Sequence, residues 1–132
     1  MTVFIDASAL VAIIKDEPES FALIETIAAH STRLTSALAM WEAVRAVAKA
    51  GSNDIPEATR LCQALCADSG ITIIAIGEDT AWYAIDAHQR YGKGTGHPAR
   101  LNMGDCFAYA CAKTNEARLL YKGDDFIHTD LG

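Results

Sequence analysis

A short apolar run followed at once by a carboxylate is the feature that most constrains this chain. Val3, Phe4 and Ile5 are strand-forming residues in a run too short for a helix, so they predict a buried central strand. Asp6 comes next, where a charged side chain is costly unless something neutralises it. Ligands collect at the carboxyl ends of strands in α/β sheets. Asp6 therefore predicts either a functional site or the N-cap of a helix that begins near Ala7.

Length and charge narrow the class of protein. The 132 residues suit one domain over residues 1–132, and 51% hydrophobic residues supply a core that needs no disulfides. The formal charge of −6 argues against broad nucleic-acid binding by charge alone, but not against an enzyme that holds phosphates through metal ions. No apolar run is long enough for a membrane span and no signal peptide is visible, so we expect a cytoplasmic protein.

The periodicity of the chain predicts strands that alternate with helices. Helices are predicted over 7–15, 18–30, 37–50, 54–68, 79–91 and 106–115. Strands are predicted over 3–5, 33–36, 71–76 and 119–121, with a short terminal strand over 127–131. The strand over 71–76 is expected to be buried on both faces. This order predicts a three-layer α/β/α sandwich with a mainly parallel central sheet.

Four carboxylates from distant segments are predicted to meet at one edge of that sheet. Asp6 and Asp124 follow strands, Asp105 begins a helix, and Glu42 lies on the helix after the second strand. Each also has a local explanation, such as helix capping, the helix dipole, or pairing of Glu42 with Arg45. Together they predict a site for a divalent metal ion.

A glycine-rich loop over residues 92–100 carries a basic cluster. Its cations are Lys93, His97 and Arg100, with Arg90 just before the loop. Three glycines and a proline predict a mobile loop. The cluster predicts either a solubilising surface or phosphate contacts beside the site, and the sequence leaves both open.

Cysteine usage predicts no metal centre and no disulfide. The four cysteines form no Cys-x-x-Cys pair, and free cysteine behaves as a small buried hydrophobe. We therefore expect them to be free and buried: Cys62, Cys66, Cys106 and Cys111.

Four short motifs, taken together, are specific for a known family. They are FIDASAL at 4–10, WEAV at 41–44, NMGDCFAYA at 102–110 and LLYKGDDF at 119–126. Each is weak by itself, but in this order and over nearly the whole length the chain resembles the PIN-domain nucleases. Among these it resembles the VapC-type toxins of bacterial and archaeal toxin–antitoxin modules.

The resemblance implies a set of site residues. The catalytic acids are Asp6, Glu42, Asp105 and Asp124. Asp6 and Asp105 would be the main metal ligands, while Glu42 and Asp124 would complete the pocket, orient the attacking water or hold a second ion. The turn can be aligned either way, so Asp125 is the alternative to Asp124, and Ser8 matches a small hydroxyl position that supports the site.

The chemistry of such a cluster fits metal-dependent RNA hydrolysis. Clustered carboxylates repel one another, so at least one keeps its proton unless a cation is present. Hard oxygen ligands select Mg²⁺, with Mn²⁺ as the other candidate. The resemblance implies cleavage of RNA of the tRNA or rRNA class, leaving a 5′-phosphate and a 3′-hydroxyl.

The resemblance also implies partners. RNA would contact the basic loop through Arg90, Lys93, His97 and Arg100, with Lys122 nearer the acids. A homodimer and a small antitoxin are expected. The antitoxin would lie along apolar residues of the first two helices: Leu10, Ile13, Phe21 and Ile24. Burial in the core explains any single one of these equally well.

Two other functions fit parts of the sequence. A receiver domain of two-component signalling also holds Mg²⁺ through aspartates and has a late lysine, which Lys122 superficially matches. That fold needs an acidic pair after the first strand, whereas Asp6 is followed by Ala7, and it leaves Glu42 and Asp105 unexplained. A catalytically silent PIN-shaped binding module is the third interpretation, which the presence of all four acids argues against.

Overall fold

The computed structural model describes residues 1–132 and is built on a four-stranded parallel sheet. The strands are β1 (Thr2–Ile5), β2 (Thr32–Ser36), β3 (Thr72–Ile74) and β4 (Arg118–Leu120). Their order across the sheet is β3-β2-β1-β4, and every neighbouring pair is parallel. The first strand therefore lies inside the sheet with a hydrogen-bonded neighbour on each side, as its apolar run predicts.

Six helices cover the two faces of the sheet. They are α1 (Ala7–Ile14), α2 (Ser20–Ala28), α3 (Ala37–Ala50), α4 (Ile55–Ser69), α5 (Glu78–Tyr91) and α6 (Met103–Thr114). Strand residues point alternately to opposite faces, so Phe4 joins a core with α5 and α6 while Val3 and Ile5 join a second core with α1 to α4. The two cores confirm the predicted three-layer α/β/α fold.

The strand predicted over 71–76 differs most from its expectation. β3 contains only Thr72–Ile74 and lies at the edge of the sheet, paired with β2 alone. Ile73 is 46% exposed, so the prediction of a strand buried on both faces is wrong. A run of β-branched and apolar residues indicates a strand but carries no information about its position in the sheet.

The chain after β4 forms turns, so the predicted terminal strand over 127–131 is also wrong. Side-chain contacts hold this segment in place. The carboxylate of Asp130 accepts hydrogen bonds from the Tyr109 hydroxyl at 2.7 Å and from the Lys113 ammonium at 2.6 Å. These polar contacts tie the C-terminal segment to α6 without any pairing to the sheet.

Helix α6 begins three residues earlier than the sequence predicts. Asn102 accepts a hydrogen bond from the Asp105 amide at 2.8 Å, and the Asp105 side chain accepts one from the Asn102 amide at 3.1 Å. This reciprocal capping box satisfies two amides that a helix start would otherwise leave unpaired. It places Asp105 inside the first turn, in a fixed orientation.

The four cysteines are buried and free, as predicted. Burial raises the pKa of the Cys62, Cys106 and Cys111 thiols to about 11. Their location in the two packed cores gives them a packing role. No helix of the structure has both the length and the apolar character needed to cross a bilayer.

Candidate active site

A pocket of about 480 Å³ brings together side chains from five segments of the chain. It contains three of the four acids chosen from the sequence, together with the Ser8 position. Its polar lining residues are Asp6, Ser8, Lys15, Glu17, Glu42, Asp105, Lys122 and Asp125. Three of the four carboxylates chosen from the sequence therefore lie in one pocket, whereas Asp124 does not line it.

Asp6 lies at the end of β1 and is only 6% exposed. Its Oδ2 atom accepts hydrogen bonds from the Ser8 amide at 3.1 Å and the Ser8 hydroxyl at 2.6 Å, so it caps α1 while its carboxylate lines the pocket. Burial raises the pKa of Asp6, the bonds from Ser8 oppose that rise, and the charge of Asp125 adds to it. Asp6 therefore caps α1 and lines the pocket, so the two explanations that the sequence left open do not exclude each other.

The Ser8 hydroxyl joins the ends of two strands. It donates to Asp6 and accepts from the Lys122 amide at 3.0 Å, two residues after the end of β4. The Asp6 amide also donates to the Leu120 carbonyl at 2.9 Å. Because the only hydroxyl proton of Ser8 points to Asp6, the carboxylate orientation depends on how β1 and β4 are joined.

Asp105 reaches the pocket from the first turn of α6 and is 9% exposed. Burial, followed by the charges of Asp125, Asp6 and Glu42, raises its pKa to about 7, against the lowering effect of the Asn102 amide. Three like charges facing a buried carboxylate show that the pocket lacks positive charge close to Asp105.

Glu42 enters the pocket from α3 and has no cationic partner. Its expected pairing with Arg45 does not form, because the Arg45 guanidinium lies over the ring of Trp41, 5.1 Å from the ring centroid. Burial first and the charge of Asp6 second raise the pKa of Glu42. Its carboxylate lies against the backbone of Gly104 in α6.

Gly104 is a site residue that sequence reasoning missed. A Cβ atom placed there would overlap Oε2 of Glu42 and approach its Cδ to 2.7 Å. Residue 104 is helical without a positive φ, so backbone freedom does not require glycine, and glycine disfavours a helix relative to alanine. The missing side chain provides the space that the Glu42 carboxylate occupies.

Asp125, and not Asp124, lines the pocket. Both follow Gly123, whose φ of 98° makes the sharp turn after β4. The charge of Asp125 contributes to the raised pKa values of Asp6 and Asp105. Of the two alternatives for the fourth acid, the geometry brings Asp125 to the other three.

Two lysines border the acids, and both form ion pairs with Glu17. The Lys122 ammonium lies 3.1 Å from the Glu17 carboxylate and 3.8 Å from Glu19, while Lys15 lies 3.9 Å from Glu17. The sequence pointed to Lys122 but not to Lys15 or Glu17. Their only signal was a position near the end of α1, beside the turn that precedes α2.

The basic loop does not line the acidic pocket. Its base is closed where the Leu101 amide donates to the Tyr91 carbonyl and the Lys93 amide donates to the Leu101 carbonyl, both at 2.9 Å. Lys93 instead lines a separate groove of about 490 Å³ between α5 and α6. Lys93 and Arg100 are exposed and form no ion pair.

The other two basic residues of this region contact protein groups. The Arg90 guanidinium donates to the hydroxyls of Tyr91 at 2.7 Å and Tyr109 at 3.2 Å. The His97 ring packs edge-on against Tyr91 and accepts a hydrogen bond from the Ala99 amide at 3.0 Å. Through these contacts Arg90 joins α5 to α6, and His97 packs the loop against α5.

The donor set of the pocket fits a hard divalent ion that keeps part of its water. Asp6 and Asp105 are nearly buried carboxylates with raised pKa values and no ion pair. No group of three or more His, Cys, Asp or Glu side chains is arranged to surround an ion. Mg²⁺ is commonly held by one or two carboxylates plus waters and substrate phosphates, so two carboxylates are enough.

Comparison with known proteins agrees with this geometry. Residues 3–131 match the family model of the PIN domain. Ribonuclease VapC42 of Mycobacterium tuberculosis is 39% identical over 127 residues, which cover 96% of this chain and 95% of that protein. A VapC ribonuclease of Rhizobium meliloti is 41% identical over 140 residues, covering 98% and 99%. Ribonuclease VapC28 of M. tuberculosis is 34% identical over 127 residues, covering 96% and 93%.

Proposed function

This chain belongs to the PIN-domain family, among relatives of the VapC ribonuclease type, and from that premise we propose that it is a metal-dependent endoribonuclease and the toxin of a toxin–antitoxin pair. The observation that carries the proposal is the convergence of Asp6, Glu42, Asp105 and Asp125 in one pocket. An ion held by the pocket would lower the pKa of water and offset charge on the phosphate in the transition state.

We assign Asp6 and Asp105 as the residues that hold the ion, Mg²⁺ or Mn²⁺. They are the most buried acids of the pocket, and their orientations are fixed by the Ser8 hydroxyl and by the capping box. Glu42 and Asp125 complete the ring of negative charge, with Glu42 placed to orient the attacking water. Asp125 replaces Asp124 in this assignment because Asp124 does not line the pocket.

Lysines beside the acids supply charge for the substrate phosphate. Lys122 and Lys15 line the pocket and both lie near Glu17. A phosphodiester entering the pocket would compete with Glu17 for these ammonium groups.

RNA of the tRNA or rRNA class is the proposed substrate. The net charge of −6 requires that binding depends on local cations. Lys93 and Arg100 are exposed without ion pairs and are the loop residues available for phosphate contacts. Arg90 and His97 would act indirectly, by shaping the loop.

An antitoxin and a second copy are the proposed protein partners. The VapC type of the relatives suggests both. In α2, Phe21 is 70% exposed and Ile24 is 45% exposed, which supports docking of an apolar antitoxin segment there. Leu10, in contrast, is 1% exposed and belongs to the core. A cytoplasmic location follows from the proposed RNA substrate and stays a prediction.

The receiver-domain alternative is excluded by the family match and by the topology. Residues 3–131 match the PIN domain, and the sheet order β3-β2-β1-β4 differs from the 2-1-3-4-5 order of that class. Only an assay of RNA cleavage distinguishes the proposed enzyme from a catalytically silent PIN-shaped binding module.

Cleavage of total cellular RNA by the purified protein tests the proposal. We expect discrete fragments with Mg²⁺ or Mn²⁺ and none with chelator. Asp6→Asn should abolish cleavage with the fold intact, because the amide keeps the shape but removes the charge that holds the ion. Asp68→Asn is the matched control, since Asp68 is an exposed carboxylate of α4 outside the pocket. Cleavage retained in Asp6→Asn would refute the assigned role of Asp6.

A further inference from the structure

A second groove adjoins the acidic pocket on the outer surface of α3. It has a volume of about 280 Å³, and all of its lining residues belong to that helix: Trp41, Glu42, Arg45, Ala46 and Lys49. Trp41, Arg45 and Lys49 are spaced four residues apart and therefore share one helix face. We call these three residues the α3 strip.

The groove and the acidic pocket share part of their lining. Glu42 and Ala46 line both of them. A chain molecule bound with one phosphate among the carboxylates would therefore extend directly onto the α3 strip.

Packing and ion pairing do not explain the α3 strip. Trp41 is 57% exposed, although the Arg45 guanidinium lies 5.1 Å from its ring centroid. Arg45 and Lys49 are exposed and form no ion pair with protein carboxylates, in a chain with a net charge of −6. An exposed indole with two unpaired cations on one face matches the charge and the stacking surface of a nucleotide.

We propose that the α3 strip is a binding subsite for single-stranded RNA next to the scissile phosphate. A base stacks on the free face of Trp41, and the adjoining phosphates pair with Arg45 and Lys49. Aromatic stacking tolerates any base, so the subsite supplies affinity and direction without sequence choice. The proposal rests on the proposed ribonuclease function and names where its substrate lies.

Fluorescence of Trp41 reports directly on this subsite. The chain has two tryptophans, so Trp82→Phe leaves Trp41 as the only one, and Asp6→Asn prevents cleavage during the titration. An oligouridylate added without metal should quench the emission of Trp41. In separate binding titrations that follow a labelled oligouridylate, Trp41→Ala should weaken affinity about tenfold or more.

The cations are tested through salt dependence. Arg45→Ala and Lys49→Ala should each reduce the slope of log affinity against log salt by about 0.7, the value for one phosphate contact on a single strand. Arg60→Ala is the matched control, because Arg60 is exposed on α4, is paired with Glu57 and gives the same change in net charge. Its slope should equal that of the parent protein.

Each outcome decides the proposal. RNA binding without quenching, or equal slopes for Arg45→Ala and Arg60→Ala, overturns it. Trp41 emission that changes with protein concentration alone assigns the α3 strip to a contact between two copies and also overturns it. Metal-dependent cleavage by the parent chain is scored separately, so the subsite can fail while the ribonuclease function stands. Absence of any RNA binding or cleavage refutes both.

Discussion

Replacing Gly104 by alanine should separate stability from activity. Alanine favours a helix over glycine by about 1 kcal/mol, but the new Cβ would overlap the Glu42 carboxylate. The distance between the new Cβ and Cδ of Glu42 would be 2.7 Å, and it would have to increase to an ordinary contact of 3.4 Å or more. Since this carboxylate is the end of a flexible side chain, we expect it to swing away while the helix stays intact.

The substitution should affect stability and RNA cleavage in opposite directions. The free energy of unfolding of the metal-free protein should stay equal or rise by up to about 1 kcal/mol. RNA cleavage should fall about a hundredfold, the usual loss when a catalytic group is displaced by about 1 Å. Urea unfolding with chelator gives the first quantity, and single-turnover cleavage with Mn²⁺ gives the second.

The Glu42→Ala background supplies the control. There the methyl group added at position 104 meets no carboxylate, so Gly104→Ala should gain the full helix preference of about 1 kcal/mol and change the residual cleavage little. Wild-type cleavage rates in Gly104→Ala would overturn this prediction, because they would show that cleavage does not depend on the space at residue 104.

Three further expectations follow from the pocket. Ser8→Ala removes the hydroxyl bonded to Asp6 and leaves a backbone amide unpaired, so urea unfolding should show a loss of about 2 kcal/mol and calorimetry about tenfold weaker Mn²⁺ binding; unchanged Mn²⁺ affinity would contradict the role of Ser8. Without metal, the folded state keeps a proton on Asp105 that the unfolded chain loses, so stability should fall as pH rises from about 4 to about 7. The full pKa shift corresponds to about 4 kcal/mol, which water in the open pocket screens to about 2 kcal/mol; thermal unfolding across this range checks it, and saturating Mn²⁺ should remove the fall. Asp125→Asn should reduce cleavage at least about tenfold while Asp124→Asn leaves it unchanged, and the reverse order would return the fourth acid to Asp124.

Local sequence signals predicted most of the fold. Alternating contacts of Val3, Phe4 and Ile5 with two cores, and the cap at Asp6, follow from residue type and spacing alone. The position of a strand within the sheet does not follow from residue type and spacing. An isoleucine such as Ile73 suits a central strand and an edge strand equally well. Only the packing of the whole sheet decides how exposed it is.

The sequence predicted those residues of the candidate site whose chemistry follows from their residue type. A carboxylate at a strand end and one at a helix start pointed to Asp6 and Asp105, whereas Glu42, inside α3, was assigned by the family resemblance. The choice between Asp124 and Asp125 depends on the direction of a turn after a glycine with positive φ, which adjacent identical residues cannot reveal. Gly104 gave no signal, because its role is the space left for a residue sixty-two positions earlier in the chain.

The position of a bound metal ion decides whether this pocket is the catalytic centre. Crystals grown with Mn²⁺ would be measured for anomalous scattering, under buffer conditions in which the protein cleaves RNA. We predict a peak within about 2.2 Å of carboxylate oxygens of both Asp6 and Asp105, the usual range for a small hard cation. A peak elsewhere, or none at these two residues, would contradict the assignment of this pocket as the centre of RNA hydrolysis.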